Sequence, residues 1–374
     1  MTIEMVTPGE IAALRAWVEV ESPTSHAPGN DAMMDLVAAE VASEHVGVER
    51  IAGRDGLGDH LVLRAGPQTG EGAILLMSHL DTVHPLGTAA RDLPVRVEGD
   101  RLYGPGVYDM KGGAWLALQA FKDVAARSAA QRPLVYLFTS DEEIGSPTSR
   151  PLIEALARDA AHALVTEPAR DGGRVVTGRK GVGRFDVRVE GRPAHAGARH
   201  EQGRSAITEA ARQILAIGAM TDYGRGVTVT VGQMRGGSAV NVIPQHASFT
   251  VDLRAVTPED AAEFERAILA LRPHDPDVRL LIEGGMNRPP MPRSEANVAL
   301  YEQARACATE LGLELGEVPL TGGGSDGNFT AALGVPTLDG LGVGGDGAHT
   351  LHEHALLSSI APRRALMRRL LETL

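Results

Sequence analysis

The chain has 374 residues, more than a single core comfortably serves, so at least two domains are expected. Its 36 Lys and Arg against 48 Asp and Glu give a net charge of −12, a field that repels a phosphate backbone and excludes nucleic acid as a partner. The lone Cys307 cannot make an internal disulfide, no apolar run approaches the roughly 18 residues of a membrane span, and the acidic start MTIEMVTPGE lacks a basic leader; a cytoplasmic protein without a membrane partner is expected.

Near-continuous apolar runs ending in polar residues recur in the first half: GAILLMSHLD at 72–81, PLVYLFTSDEE at 133–143 and HALVTEP at 162–168. Each reads as a buried strand. Residues 112–130 between the first two carry apolar residues at helical spacing and read as a crossover helix. Strand, helix and strand in this order predict a doubly wound α/β sheet, whose ligands bind outside the carboxyl ends of the strands. The polar ends of all three runs lie there.

From about 180 the texture changes. GRFDVRVEG alternates like a half-exposed strand, 203–217 reads as helix, VTVTVGQM and ASFTVDLRAV as strands, TPEDAAEFERAILALR as a helix capped by Thr257 ahead of Pro258, and VRLLIEG as a last strand. This β-α-β-β-α-β order is ferredoxin-like and forms an inserted domain over 179–291, leaving 1–178 and 292–374 to the larger one. After it, 294–311 reads as a helix with Cys307 as a small buried thiol, TGGGSDGNF as a glycine-rich loop, VPTLDGLGV as a buried strand and 359–373 as a closing helix.

Hard or borderline metal donors collect at the polar strand ends: His79 and Asp81, Asp109, the Asp141-Glu142-Glu143 run, Glu167, and the histidines of AHTLHEH at 348–354. Any one alone is more often a capped or solvated residue. Carboxylates repeated at one sheet edge repel one another unless a cation lies among them. AHTLHEH is not itself a zinc motif, because H-E-x-x-H from His352 would need a histidine where Leu356 stands, and H-x-x-E-H would need one at Thr350. His79 and Asp81 share a face of an extended chain, which suits a ligand histidine held by a carboxylate. Asp109 lies between glycines that permit a tight turn, or it caps the following helix. Two adjacent glutamates on a strand point to opposite sides, so one can bind metal while the other meets a water as general base.

The blocks SHLDTVHP, YGPGVYDMKGG, TSDEEIGS, TEP, GRPAHAGA, NVIPQHASFTVDLR, NRPPM, TGGGSDGNF and GAHTLHEH occur in that order. In this the chain resembles the dinuclear zinc aminoacylases and carboxypeptidases that include acetylornithine deacetylase, succinyl-diaminopimelate desuccinylase and carboxypeptidase G. The resemblance implies that His79 and Glu167 hold one metal, Glu143 and His349 the other, and that Asp109 bridges them, with Asp81 orienting His79 and Glu142 as the base. It also implies two Zn ions per subunit, a non-proline cis bond between Asp109 and Met110, and an inserted domain that serves as lid and dimerisation surface. Nitrogen and oxygen donors without thiolate would also accept Co or Mn. His84, His352 and His354 receive no ligand role.

In the inserted domain, the resemblance makes His195 a donor to the tetrahedral oxyanion in a partner subunit's site, and Asn241 and Arg254 substrate-binding residues. A turn histidine, a turn asparagine and a sheet-surface ion pair are the plainer alternatives. By the same resemblance, Gly324 of the glycine-rich loop would be a further substrate contact. The blocks GRKGVGRFDVRVEGRPAHAG and GGMNRPPM look closest to the carboxypeptidase G, or glutamate carboxypeptidase, branch. There Arg174 and Arg288 would read a side-chain carboxylate, although Arg174 is equally well a solvated loop residue. The expected activity is hydrolysis of an N-acyl amino acid, dipeptide-like or folate-like amide, releasing a C-terminal acidic amino acid. The rivals are a biosynthetic deacylase of the acetylornithine or succinyl-diaminopimelate type, and a catalytically silent binding protein on the same fold.

Overall fold

A computed structural model describes residues 6–42, 45–68 and 72–374. The chain forms two compact units, one of Met1–Gly178, Arg293–Thr321 and Ser325–Leu374, the other of Arg179–Pro292 with Gly322–Gly324.

The first unit is built on a mixed six-stranded sheet in the order Gly47–Ile51, His60–Ala65, Leu134–Thr139, Ala73–His79, Ala160–Val165, Thr337–Leu338. The three apolar runs supply its parallel centre, Thr337–Leu338 extends it in parallel, and the two N-terminal strands join antiparallel. Alternate residues feed two cores. Ile74, Leu76, Leu134, Tyr136, Phe138 and Leu164 pack with Trp17, Met33, Phe121 and Leu370 from helices Pro8–Glu19, Ala27–Glu40, Gly112–Ala126 and Leu357–Thr373. Leu75, Met77, Val135, Leu137 and Val165 pack on the other face with Ile153 of Arg150–Ala157 and Phe329 of Gly327–Ala332. Helices on both faces are why these strands read as unbroken apolar runs.

Two expectations need correction. The 133–143 strand ends at Thr139, and Glu142–Ile144 is a short 3-10 turn, so the two glutamates are not alternating strand residues. The VPTLDGLGV strand is only two residues long, because Gly340 takes φ 72° and Asp339 turns to pair with Val176. The helices and strands before residue 70 were not anticipated; Gly47–Ile51 is mostly exposed and carries no apolar alternation.

Between the first two central strands the chain makes an irregular turn, Val107–Lys111, before the helix Gly112–Ala126, and the Asp109–Met110 peptide bond within it is cis. Gly113 lets the helix start lie against the sheet edge, since a Cβ there would stand 2.2 Å from the carbonyl oxygen of Thr166. The bridging candidate Asp109 and the strand end leading to Glu167 are thereby brought together.

The second unit runs strand Gly181–Glu190, helix Ala206–Gly218, strands Thr228–Gly236 and His246–Ala255, helix Pro258–Leu269 and strand Arg279–Arg288. Its sheet order is Thr228–Gly236, His246–Ala255, Gly181–Glu190, Arg279–Arg288, with every pair antiparallel. Phe185, Val187, Val189, Phe249, Val251 and Leu253 pack against Ala210, Ile217, Phe264 and Ile268 of the two helices, while Arg184, Asp186 and Arg188 face water. Ser205 and Thr257 cap those helices through their side chains. Among the described residues, no helix is long and apolar enough to cross a membrane.

Candidate metal centre

Five donors in the first unit meet at the carboxyl edge of its sheet. His79 ends the strand Ala73–His79, Glu143 follows Leu134–Thr139 in the 3-10 turn, Glu167 follows Ala160–Val165, Asp109 comes from the irregular turn, and His349 sits on a loop with a left-handed φ of 64°. They form two triads that share Asp109: His79, Asp109 and Glu167, and Asp109, Glu143 and His349, each with donor atoms within 4.8 Å of one another. The shared carboxylate is divided between them. Oδ1 of Asp109 lies 3.3 Å from Nε2 of His79, and Oδ2 lies 3.4 Å from Nε2 of His349. Glu167 is 3.8 Å from the first imidazole and Glu143 is 3.2 Å from the second.

The electrostatics follow from this crowding. Hydrogen bonding to Asp109 and Glu143 pushes the His349 pKa up to about 10. Burial disfavours a charged His79 ring, but Asp109 and Asp81 outweigh it and its pKa stands well above the ordinary value. Burial would also raise Asp109, yet the two histidines hold it below the usual carboxylate range, whereas burial dominates at Glu143 and raises it. Crowded carboxylates thus favour the protonated form of both imidazoles.

Asp81 lies behind the centre and is fully buried. His79 Nδ1 is 3.0 Å from the Asp81 backbone oxygen and 3.5 Å from its carboxylate. The Asp81 carboxylate also accepts the backbone N–H groups of Glu142 and Glu143 and the hydroxyl of Thr24. The contact of Asp81 with the histidine thus runs mainly through the main chain, while its carboxylate anchors the turn that carries both glutamates. Sequence spacing did not signal that second task, nor the place of Lys111, which is buried two residues after Asp109 and donates from Nζ to the Val20 carbonyl at 2.6 Å. Burial brings its pKa down to about 7.

The other candidates are distributed differently. Arg174 is in the first unit, in an exposed ion pair with Asp171 at 2.6 Å, as a solvated loop residue would be. His195, Asn241, Arg254, Arg288 and Gly324 belong to the second unit. Nδ1 of His195 accepts the N–H groups of Gly197 and Ala198, which leaves Nε2 as the donating nitrogen. The Asn241 carbonyl accepts the N–H of Ala196, so these two candidates lie on paired segments. The guanidinium fork of Arg254 is engaged by both oxygens of Asp252 at 2.9 Å, and also reaches the Gly322 carbonyl. It is not an open carboxylate clamp in this conformation. Arg288 is buried, and its Cδ stands so close to Gly324 that any Cβ there would be 2.7 Å away.

A mixed α/β sheet with two donor triads at its carboxyl edge has the make-up of a metallohydrolase. Residues 75–373 match peptidase family M20/M25/M40, and the chain belongs to that family of metal-dependent hydrolases. Carboxypeptidase G2 of Pseudomonas sp. (strain RS-16) is 32% identical over 373 residues, spanning 96% of this chain and 88% of that protein. Acetylornithine deacetylase of Myxococcus xanthus is 33% identical over 264 residues, 66% of this chain and 68% of the relative. The M20 family metallo-carboxypeptidase Sso-CP2 from Sulfolobus solfataricus shares the fold, with a TM-score of 0.78 over 98% of this chain and 99% of that one at 18% identity.

Proposed function

We propose that the protein is a dinuclear metal hydrolase that cleaves the amide bond of an N-acyl amino acid or folate-like substrate and releases a C-terminal, acidic amino acid. The observation that carries the dinuclear reading is the division of the Asp109 carboxylate, one oxygen toward His79 and the other toward His349. The donor set suits such a pair. Three carboxylates and two imidazoles offer only nitrogen and oxygen, which favours Zn and tolerates Co or Mn. Oε1 of Glu143 is buried with no hydrogen-bond partner, a polar atom that a cation would satisfy. His79 and Glu167 would hold one ion, Glu143 and His349 the other, with Asp109 between. Two such ions supply Lewis acidity, making water more acidic and the substrate carbonyl more electrophilic.

The protein's own groups do the remaining work. Glu142, in the same turn as the ligand Glu143, takes a proton from the attacking water and returns it to the leaving amine nitrogen. Asp81 holds that turn and His79 in register. The donating Nε2 of His195 suits a developing oxyanion, in the manner of preorganised donors. We assign that role across a homodimer formed through the second unit, whose strand order fits a ferredoxin-like lid. The single buried cysteine suits a reducing compartment, so we place the protein in the cytoplasm.

The acidic leaving amino acid is supported by the resemblance to the carboxypeptidase G branch; of the two arginines expected to read its side-chain carboxylate, Arg288 is buried in the second unit, whereas Arg174 is paired with Asp171. A substrate carboxylate at Arg254 would have to displace Asp252. Turnover of N-acyl amino acids with zinc supplied and products identified tests the reading. Faster turnover of acetylornithine than of acyl-glutamates or acyl-aspartates would transfer the protein to the biosynthetic deacylases.

A further inference from the structure

Glu353 follows His349 by four residues and is only 1% exposed, a position that glutamate rarely occupies without partners. Its partners come from the far side of the sequence. Oε1 accepts the backbone N–H groups of Tyr108 at 2.9 Å and Asp109 at 3.0 Å, and Oε2 accepts that of Gly106 at 3.0 Å. Nε2 of His84 stands 2.7 Å from the same Oε2. The amides belong to the irregular turn and the glycine that precedes it: Gly106 takes φ 72°, and Asp109 and Met110 have non-helical dihedrals. Buried N–H groups need acceptors, and three of those in this segment share the two oxygens of one carboxylate.

We propose that Glu353 is a positioning residue of the metal centre, whose carboxylate fixes the 106–109 backbone and thereby sets where the Asp109 side chain stands between the two triads. The proposal rests on the reading of Asp109 as the shared ligand. It gives one loop two connected tasks. His349 presents Nε2 3.4 Å from Oδ2 of Asp109, while Glu353 in the same segment holds the amide of Asp109 itself. The separation between the bridging carboxylate and its partner imidazole is therefore set by a loop that grips both. His84 has no donor role in either triad; its contact here makes it a support for Glu353.

The chemistry of the carboxylate makes the claim testable with graded substitutions. In Glu353→Gln one oxygen still accepts from Tyr108 and Asp109, but the amide group then meets the N–H of Gly106 donor to donor. Glu353→Ala removes every acceptor. Full-length wild type, both variants and the ligand control Glu167→Ala would be loaded with Co(II). Each would be titrated with a chelator of known affinity while the cobalt absorption bands and the thermal midpoint of the metal-free protein are recorded. The expected result is cobalt affinity weakened about 10-fold in Glu353→Gln and up to about 100-fold in Glu353→Ala, with altered band intensities in both. Wild-type affinity and bands in a folded Glu353→Ala would overturn the proposal, and so would a lower thermal midpoint with unchanged cobalt binding, which marks a purely structural role. Should the alanine variant not fold, wild-type affinity and bands in Glu353→Gln decide against it. Wild-type protein that binds no cobalt would instead overturn the reading of Asp109 on which the proposal stands.

Discussion

Asp81 holds Glu142 by its backbone: Oδ1 of the aspartate accepts the N–H of Glu142 at 3.1 Å, while Oδ2 accepts that of Glu143 at 3.2 Å. One carboxylate thus sets the proposed base and a proposed ligand together. In Asp81→Asn the new amide turns one acceptor into a donor that faces an N–H. Catalytic efficiency should fall about 10- to 100-fold. Steady-state kinetics alongside bound-metal analysis check this. Unchanged kinetics would restrict Asp81 to folding.

Glu142 makes a sharper case, because it stands outside both triads. Glu142→Ala should keep its metal and lose turnover by about 10²- to 10⁴-fold, the range ascribed to a positioned base. Loss of metal together with activity would make Glu142 a ligand instead.

Metal stoichiometry separates the shared donor from the others. Wild type should bind two ions. Glu167→Ala and His349→Ala should each weaken one site, and Asp109→Ala both. Elemental analysis after equilibration with a zinc buffer reads this directly, and an Asp109→Ala protein that retains one tightly held ion would argue against bridging.

The metal-free protein should show a distinct pH dependence. His349 titrates at about 10 in the folded chain, above its ordinary value of about 6.5. A histidine raised in this way stabilises the fold fully below its unfolded pKa, and the contribution disappears as pH rises through about 10. Thermal midpoints of the metal-free protein should therefore fall from pH 7 to 10, and His349→Ala should show a shallower fall. Because metals need neutral imidazoles, loading near pH 7 should release protons, detectable by calorimetry in buffers of different ionisation enthalpy.

The parts of this molecule that were legible beforehand share a physical cause. Strands covered on both faces need apolar residues at every position, so Ala73–His79, Leu134–Thr139 and Ala160–Val165 stood out, as did the polar residues at their ends. The N-terminal elements were not seen, since an exposed edge strand such as Gly47–Ile51 has no such requirement. The division of donors into two sets came from family resemblance rather than from spacing. Glu353 reads in the sequence only as a supporting or surface residue of AHTLHEH, because its carboxylate accepts from main-chain amides 244 to 247 positions away, and backbone donors leave no pattern in side-chain identity. Arg254 shows the converse: its side chain suits a carboxylate, and the fold supplies one from Asp252.

The most direct test of the central claim is hydrolysis by the zinc-loaded protein of a panel of N-acyl amino acids and folate-like amides, with both products identified by mass. The account predicts cleavage of the amide bond with release of free glutamate or aspartate, abolished by chelation and restored by zinc. Zinc-loaded, folded protein that cleaves none of these amides, or that releases only non-acidic amino acids, would contradict it.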